Sequence, residues 1–499
     1  MTLSPDRIPV IVGVADLLER PTDFPQAREP LALMAAALRA AEDDAGAKLI
    51  AAIDSIDLVN QVSWPYTAPA DLLCDMLGIK PARAVYGMVG GESPVRLIHE
   101  AGQRIARGES QIAAIVGAES QNSVDKARKA GVELPWTAPS PNPQNILRGI
   151  DFVKDAALDV GAFMPITIYP FYETATAAHW GQTPRQALAE TGELWARFSE
   201  VAAQNPNAWL GRAHSAAEIT TPSAANRPLA WPYTKLMVAN PSVNQGAAVI
   251  VTSLAAARAA GIAEDRLVYL QGGAAAAEPR DYLQRDVYYQ STAQDAVLHR
   301  AQALAGGAFG AIELYSCFPC VPKMARRTLG YGTDVMPTVT GGLTFFGAPL
   351  NTYMTHAAVA MVHHLRGRGG NGLLYGQGEF VTKHHALVLG MTPPADDTMA
   401  SDYSVQDAAD AARGPVPPFV DTMCDMATIE AYTVIFDRNG EPTHGVVIAT
   451  DDDGRRAITK VAGNDRDAIS RLMDLDQSVV GERGEVAPAG KAPLEFRFT

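Results

Sequence analysis

The stretch of this chain best suited to chemistry is the glycine-rich turn Gly87–Gly91 together with Glu92-Ser93-Pro94. Ser93 followed by Pro94 reads as an N-cap and a first helical position, because the hydroxyl takes an orphan amide and proline has none to lose. Val95, Ile98, Ala101, Gly102 and Ile105 then recur at three- and four-residue steps, which predicts a helix with one tightly packable apolar face. Gly108 closes that helix, and the wholly apolar run Ile112–Val116 reads as a buried parallel strand. Just ahead of a helix N-terminus, free amides and the helix dipole favour negative charge, the setting for a nucleophile and an oxyanion. No thiol stands there. Ser93 has no paired base in sequence and reads as a cap, and Glu92 reads as a partner for the dipole.

Elsewhere the reactive residue types are sparse. The four cysteines are Cys74, Cys317, Cys320 and Cys424, a usage that fits a reducing cytosol better than a disulfide framework. Cys317-x-x-Cys320 has no second such pair and no His-x-x-x-His partner, so structural or pocket cysteines are expected rather than zinc. Cys320 falls near the start of a helix, where a thiol pKa is expected to drop. His356 lies on an alanine-rich helix and reads as a core histidine. His384 and His385 flank the last strand of the second half, so one is expected to face in and the other out.

These residues need a large scaffold, and 499 residues supply one, with a prior of about three domains at roughly 150 residues each. The chain is 47% hydrophobic and 19% charged, an ordinary globular composition. A net charge of −14 argues against nucleic acid or an anionic membrane as partner. Leu343–Val362 is uncharged and long enough to span a bilayer, but Gly347, Pro349, Asn351, Thr352 and His356 make it a buried loop and helix. No secretory signal is read at the N-terminus, and a soluble cytoplasmic protein is expected.

Periodicity divides the chain into four parts. Residues 1–120 with 236–262 form a first α/β half. Residues 121–235 form a proline-rich insertion (PWTAPSPNPQN, TPSAANRPLAWPY) whose clear helix opens on the capping box Thr183-Pro184-Arg185-Gln186. Residues 263–390 repeat the order of the first half, again with a glycine turn, Thr340-Gly341-Gly342, before a small-residue helix. Residues 391–499 carry linker-like segments and then hairpin signals at Asp437–Gly440 and Asp451–Gly454, predicting a small OB- or barrel-like β domain.

Over about its first 390 residues this pattern resembles the thiolase superfamily. Gly117-Ala118-Glu119-Ser120 resembles the Gly-x-Glu-Ser ending of the thiolase nucleophile segment, and counting back places Gly91 on the reactive cysteine. Ile312-Glu313-Leu314-Tyr315-Ser316-Cys317-Phe318 resembles the strand-end motif of the sterol-carrier-type thiolases, with Cys317 on a cysteine that the resemblance gives no nucleophilic role. Thr340-Gly341-Gly342 with Gly347-Ala348-Pro349 resembles the Gly-Gly and Gly-His-Pro loop, and Leu374–Gly378 lies over the final Cys-x-Gly loop. The extra C-terminal domain and the missing catalytic residues resemble the thiolase-like proteins of type 1.

The resemblance implies a duplicated thiolase core in which the catalytic positions are matched by Gly91, Tyr315, Ala348 and Tyr375. Losing one oxyanion donor costs about 10²–10³ in rate, and losing the nucleophile removes the covalent route. Tyr315, Ser93 and Cys320 are the candidates to substitute, Tyr315 as an acid or hydrogen-bond donor. Coenzyme A or an acyl-CoA is the implied ligand, with no other cofactor and no metal. Arg185, Arg197, Arg212, Arg227 and Lys235 of the insertion are candidates for its phosphates, and Phe163, Met164, Tyr169 and Trp180 for an acyl tunnel or core. The functions left open are an acyl-CoA-binding enzyme of lipid metabolism with altered acyltransferase or C–C lyase chemistry, a catalytically silent acyl-CoA-binding or scaffold protein, and an active acetyl-CoA acetyltransferase. A homodimer through the sheet edge of the first half and a monomer whose appended domain covers that surface are both open.

Overall fold

The computed structural model describes residues 4–141, 147–489 and 492–499, so the end of the proline-rich run, 142–146, lies outside the described residues. The apolar segments form β1 (Pro9–Leu18), β2 (Ser55–Leu58), β3 (Arg83–Tyr86), β4 (Ile112–Ser120), β5 (Pro228–Ala230), β6 (Tyr233–Thr234), β7 (Asn244–Ser253), β8 (Val268–Ala277), β9 (Ala311–Leu314), β10 (Asn371–Gly378) and β11 (Lys383–Gly390). Nine of them order as β3-β2-β4-β7-β1-β8-β11-β10-β9. The first five belong to the first half and the last four to the second. The halves meet through the pairs Val10–Tyr269 and Ile11–Val268. β2 runs parallel to β3 and β4, and β9 parallel to β10, so each half carries parallel pairs in a mixed sheet.

The two helices that follow the glycine turns, Ser93–Arg107 and Tyr353–Arg368, pack on each other and on strands of both halves. They are the centre of the molecule. Gly102 shows how close that packing is: a Cβ there would stand 2.6 Å from Leu270 Cδ2 and 2.7 Å from Met399 Cε. Every residue of β7 is buried, as expected for a strand covered on both faces, which is why its sequence does not alternate.

The same covering corrects the expectation for β11. His384 and His385 point to opposite faces, yet both are buried, because one face lies under the helix Thr292–Ala305 and the other under Ser93–Arg107. His385 Nε2 lies 2.9 Å from His99 Nδ1, and Tyr403 packs on both rings. Burial pulls His99 down to about 3, His384 to about 4 and His385 well below the usual range.

The C-terminal region folds as a closed barrel of β12 (Asp425–Phe436), β13 (Pro442–Asp451), β14 (Arg456–Val461), β15 (Arg483–Ala489) and β16 (Ala492–Phe498). Its order is β12-β13-β14-β16-β15 and back to β12, with β14 parallel to β16 and the helix Arg466–Leu472 between β14 and β15 in sequence. β5 of the insertion adds to it through Ala230–Ile435. The insertion holds more helix than its prolines suggest. Pro184–Gln204 opens on the Thr183–Gln186 capping box as read, but Pro165–His179 is also helical despite an internal Pro170. It is buried over most of its length, partly against β12, so burial outweighs the proline. Arg456, fully buried, ties the barrel to the second half: it pairs with Glu430 at 2.7 Å, donates to the carbonyls of Leu283, Arg285 and Asp286, and faces the Tyr288 ring. β3 ends the core sheet order without an outer strand partner among the described residues.

Two predictions come from this packing. Unfolded imidazoles take up protons below about pH 6.5, whereas these buried ones stay neutral far lower, so stability is full above that pH and falls as pH drops. Urea titrations between pH 7 and 4.5 are expected to show a loss that His99→Gln reduces, by up to about 1.4 kcal/mol per pH unit. Glu430→Ala leaves Arg456 buried without its countercharge and is expected to cost about 3 kcal/mol or more in the same assay.

Candidate functional site

The turn before the first central helix is pinned from three directions. The Gly90 amide donates to Asn351 Oδ1 at 3.0 Å, and Asn351 Nδ2 donates to the Asn60 carbonyl at 3.0 Å. Lys383 Nζ donates to the Val89 carbonyl at 2.6 Å, and Ser93 Oγ to the Met88 carbonyl at 2.7 Å. Ser93 is therefore the first helical residue and holds the turn, while Glu92 takes the cap position. No histidine or carboxylate accepts from its hydroxyl among the described residues.

Glu313 of β9 organises the facing wall. It is fully buried and accepts from the hydroxyls of Thr338, Thr340 and Tyr353 and from the amides of Val339 and Thr340. One carboxylate thus fixes the loop before Gly341-Gly342 to the end of β9 and to the start of the second central helix. Burial raises its pKa. Glu119 does the same on the first half, accepting from the Val62 and Ser63 amides, and burial pushes it up to about 7.

Beyond β9 the Tyr315 side chain reaches across to Gly91. A Cβ built on Gly91 would fall inside the Tyr315 hydroxyl and ring and against the Gln377 carbonyl, far closer than the 3.0 Å below which Cβ atoms essentially never approach. The phenol fills the space of the side chain that Gly91 lacks. Burial holds the Tyr315 pKa well above its usual value, with the nearby Cys317 and Glu92 adding to the shift, so the group is a neutral O–H donor. No hydrogen bond engages that hydroxyl among the described residues.

The other sulfur and oxygen groups are arranged to pack. Cys317 Sγ faces Gln377 Oε1 at 3.6 Å, and burial pushes the thiol up to about 12. Cys320 begins the helix Cys320–Thr328, but its pKa is raised, not lowered: burial and the Glu173 charge outweigh the helix dipole. Tyr375 points away from Gly91: Gln294 donates to its hydroxyl at 2.8 Å, and the hydroxyl pairs with His384 Nδ1 at 2.7 Å. The residues of β10 that face the site are Gly376 and Gly378; a Cβ on Gly376 would stand 2.8 Å from Glu92 Cα and 3.3 Å from the Gly91 carbonyl. Ala348 is buried, with its amide donating to the Asn240 carbonyl at 2.9 Å.

Residues 405–491 match the family model described as the thiolase-like protein type 1 additional C-terminal domain. No curated protein matches the chain. A monomeric SCP2-thiolase like protein type 1 from Mycobacterium smegmatis is similar over 100% of both chains, with 29% identity and a TM-score of 0.83. The chain is a thiolase-like protein with an additional C-terminal domain. More distant structures share the core fold alone. Human mitochondrial 3-ketoacyl-CoA thiolase in complex with CoA is 15% identical over 77% of this chain and 98% of its own, at a TM-score of 0.57. The Ltp2-ChsH2(DUF35) aldolase is 16% identical over 78% and 98%, at a TM-score of 0.57.

In this thiolase-like protein the cations of the insertion do not gather. Arg185 pairs with Asp476 of the barrel region, Arg212 with Glu218, and Arg197 donates to the Thr333 and Asp334 carbonyls. Arg227 donates to the Pro228 carbonyl, and Lys235 is exposed. Tyr169 stacks on Phe318 with centroids 4.2 Å apart and donates to Gln377 Oε1 at 3.0 Å, while Met164 is exposed. His356 is a core histidine with Nδ1 3.3 Å from Asp16. A cavity of about 640 Å³ lies away from Gly91, between the end of Pro184–Gln204, β9 and the far end of the second central helix, with Asp16, His363 and Arg368 in its wall. Among the described residues no group of three or more His, Cys, Asp or Glu could hold a metal ion, and no helix is long and apolar enough to cross a membrane.

Asn351, Asn60, Gln377 and the glycines 376 and 378 were not singled out by residue type. Asn351 lies just after Gly347-Ala348-Pro349, and 376–378 lie within the segment over the Cys-x-Gly loop, whereas nothing in the sequence marks Asn60. The steric reading gives a direct prediction. Gly91→Cys is not expected to create a reactive thiol, and Gly91→Ala is expected to lower stability by about 2 kcal/mol or more, because the Gln377 carbonyl is backbone and cannot turn aside. Thermal unfolding of Gly91→Ala alone and with Tyr315→Phe checks this, with only partial recovery in the double variant.

Proposed function

We propose that this thiolase-like protein binds a coenzyme A thioester without forming a covalent bond to it, and that Tyr315 donates a hydrogen bond to the acyl carbonyl. The observation that carries the reading is the unengaged, neutral phenol set into the seat of the Gly91 side chain. A hydroxyl with no protein acceptor is free to donate to an acceptor from outside, and a thioester carbonyl is one. Without a nucleophile at residue 91 the two-step acyl transfer of a thiolase is not available, so acetyl-CoA acetyltransferase activity of the ordinary kind is not proposed. Proton transfer, and carbon–carbon bond making or breaking beside the thioester, are the reactions that remain, in keeping with a role in lipid metabolism. Because Arg185, Arg197 and Arg212 each have a protein partner, a phosphate would have to compete with it.

A silent binding protein is the second reading, favoured by the way the Tyr315 ring occupies the space above Gly91 and by the remoteness of the 640 Å³ cavity. A monomer is the proposed state, supported by the monomeric relative; the barrel docks on the insertion and second half rather than along the β3 edge, so it is not the cover expected for that surface. Calorimetric titration with CoA and with butyryl-CoA tests the reading. Butyryl-CoA is expected to bind one to one, and Tyr315→Phe to weaken it about 3–10-fold while leaving CoA unchanged, the worth of one hydrogen bond. No binding of either ligand by the wild type would contradict the proposal.

A further inference from the structure

Glu92 is the one buried carboxylate at this turn, and its two oxygens are treated differently. Oε1 has Arg96 Nη2 and Lys383 Nζ each at 3.7 Å, beyond hydrogen-bonding distance. Lys383 is held more closely elsewhere, by Glu379 at 3.0 Å and the Val89 carbonyl at 2.6 Å. Oε2 has no hydrogen-bond partner, although the residue is only 1% exposed. An orphaned oxygen of this kind costs about 1–3 kcal/mol, more if charged, and the ion pairs on Oε1 do not require it.

The surroundings of Oε2 are built from backbone. A Cβ on Gly90 or on Gly378 would strike Oε2, and one on Gly376 would strike Glu92 Cα. Glycine at these positions lets the carboxylate pack directly on the backbone, where any side chain would collide with it. The loop behind them is strained, with Glu379 at φ 57° and the β-branched Val381 at φ 59°. Tyr169, Tyr172 and Arg285 hold it there by donating to the carbonyls of Glu379, Phe380 and Val381. Gly91 and the Tyr315 hydroxyl lie next to this seat, and the Glu92 charge is felt at that phenol.

We infer that Glu92 is a catalytic base, its Oε2 removing a proton from the α-carbon of the thioester whose carbonyl accepts from Tyr315. This rests on the thioester-binding reading above. The step balances within the groups named. Oε2 takes the proton, the C–H pair becomes the α-carbon to carbonyl-carbon double bond, and the carbonyl π pair moves onto oxygen, where the Tyr315 O–H stabilises it. Return of a solvent-exchanged proton from Glu92 to the α-carbon restores the thioester. No oxidant or second substrate is needed, so the step can be seen alone.

The test is α-deuterium incorporation into butyryl-CoA in D₂O, followed by mass spectrometry, with binding measured by calorimetry on the same proteins. The wild type is expected to bind and to exchange, and folded Glu92→Gln to bind while exchanging about 10²–10⁴-fold more slowly. Glu92→Asp, which keeps the charge but withdraws the oxygen, is expected to lose exchange as well, where a purely structural anion would be rescued. Binding by the wild type without exchange above the protein-free rate, or full exchange in either folded variant, would overturn the role of Glu92 and leave the binding reading standing. Absence of wild-type binding would overturn both.

Discussion

One small volume at the start of the helix Ser93–Arg107 cannot hold both a side chain on residue 91 and the phenol of Tyr315. The Gln377 carbonyl closes it from a third side, so the exclusion cannot be relieved by a rotamer change alone. Much of the site follows from that contact. With Tyr315 present residue 91 has room only for glycine, and Tyr315 is placed by a strand end that Glu313 fixes to the Thr338–Thr340 loop and to Tyr353. The Tyr353 ring in turn packs edge-on against Tyr315 with centroids 6.0 Å apart.

Burial sets the chemistry left in this space. Both nearby thiols are pushed toward the protonated form, as is the phenol, so no strong nucleophile stands there at neutral pH. What remains is a neutral donor on one side of Gly91 and a carboxylate oxygen without a partner on the other. The second central helix contributes through Asn351 just before it, which binds the Gly90 amide and so couples the two halves at the site. The barrel stands off from this chemistry, anchored by Arg456 and by the addition of β5 to β12.

The local elements were legible where one principle governed them. Thr183-Pro184-Arg185-Gln186 set the start of its helix, the Asp437–Gly440 and Asp451–Gly454 turns set the barrel hairpins, and the repeated glycine turn before a small-residue helix exposed the duplication. Readings failed where tertiary covering decided the outcome. His384 and His385 alternate as a strand requires, but sequence does not say that both faces of β11 are covered. Cys320 occupies a helix start, but the apolar surroundings and the Glu173 charge that reverse its pKa come from distant segments. At the site, Gly91 and Tyr315 were named separately; that one fills the other's place depends on the approach of β9 to the turn, which no spacing encodes. Tyr375 was matched to the last loop by order, and the pleat of β10 turns it away and presents Gly376 and Gly378 instead.

On the proposed function, the Tyr315 phenol stands where a thiolase carries its reactive sulfur, and a thioester would be held but not attacked. Intact-protein mass spectrometry after incubation with butyryl-CoA, at a concentration where binding is saturated, tests it most directly. An unchanged protein mass and recovery of intact butyryl-CoA are expected. A stoichiometric butyryl adduct on Cys317 or Cys320 would contradict it.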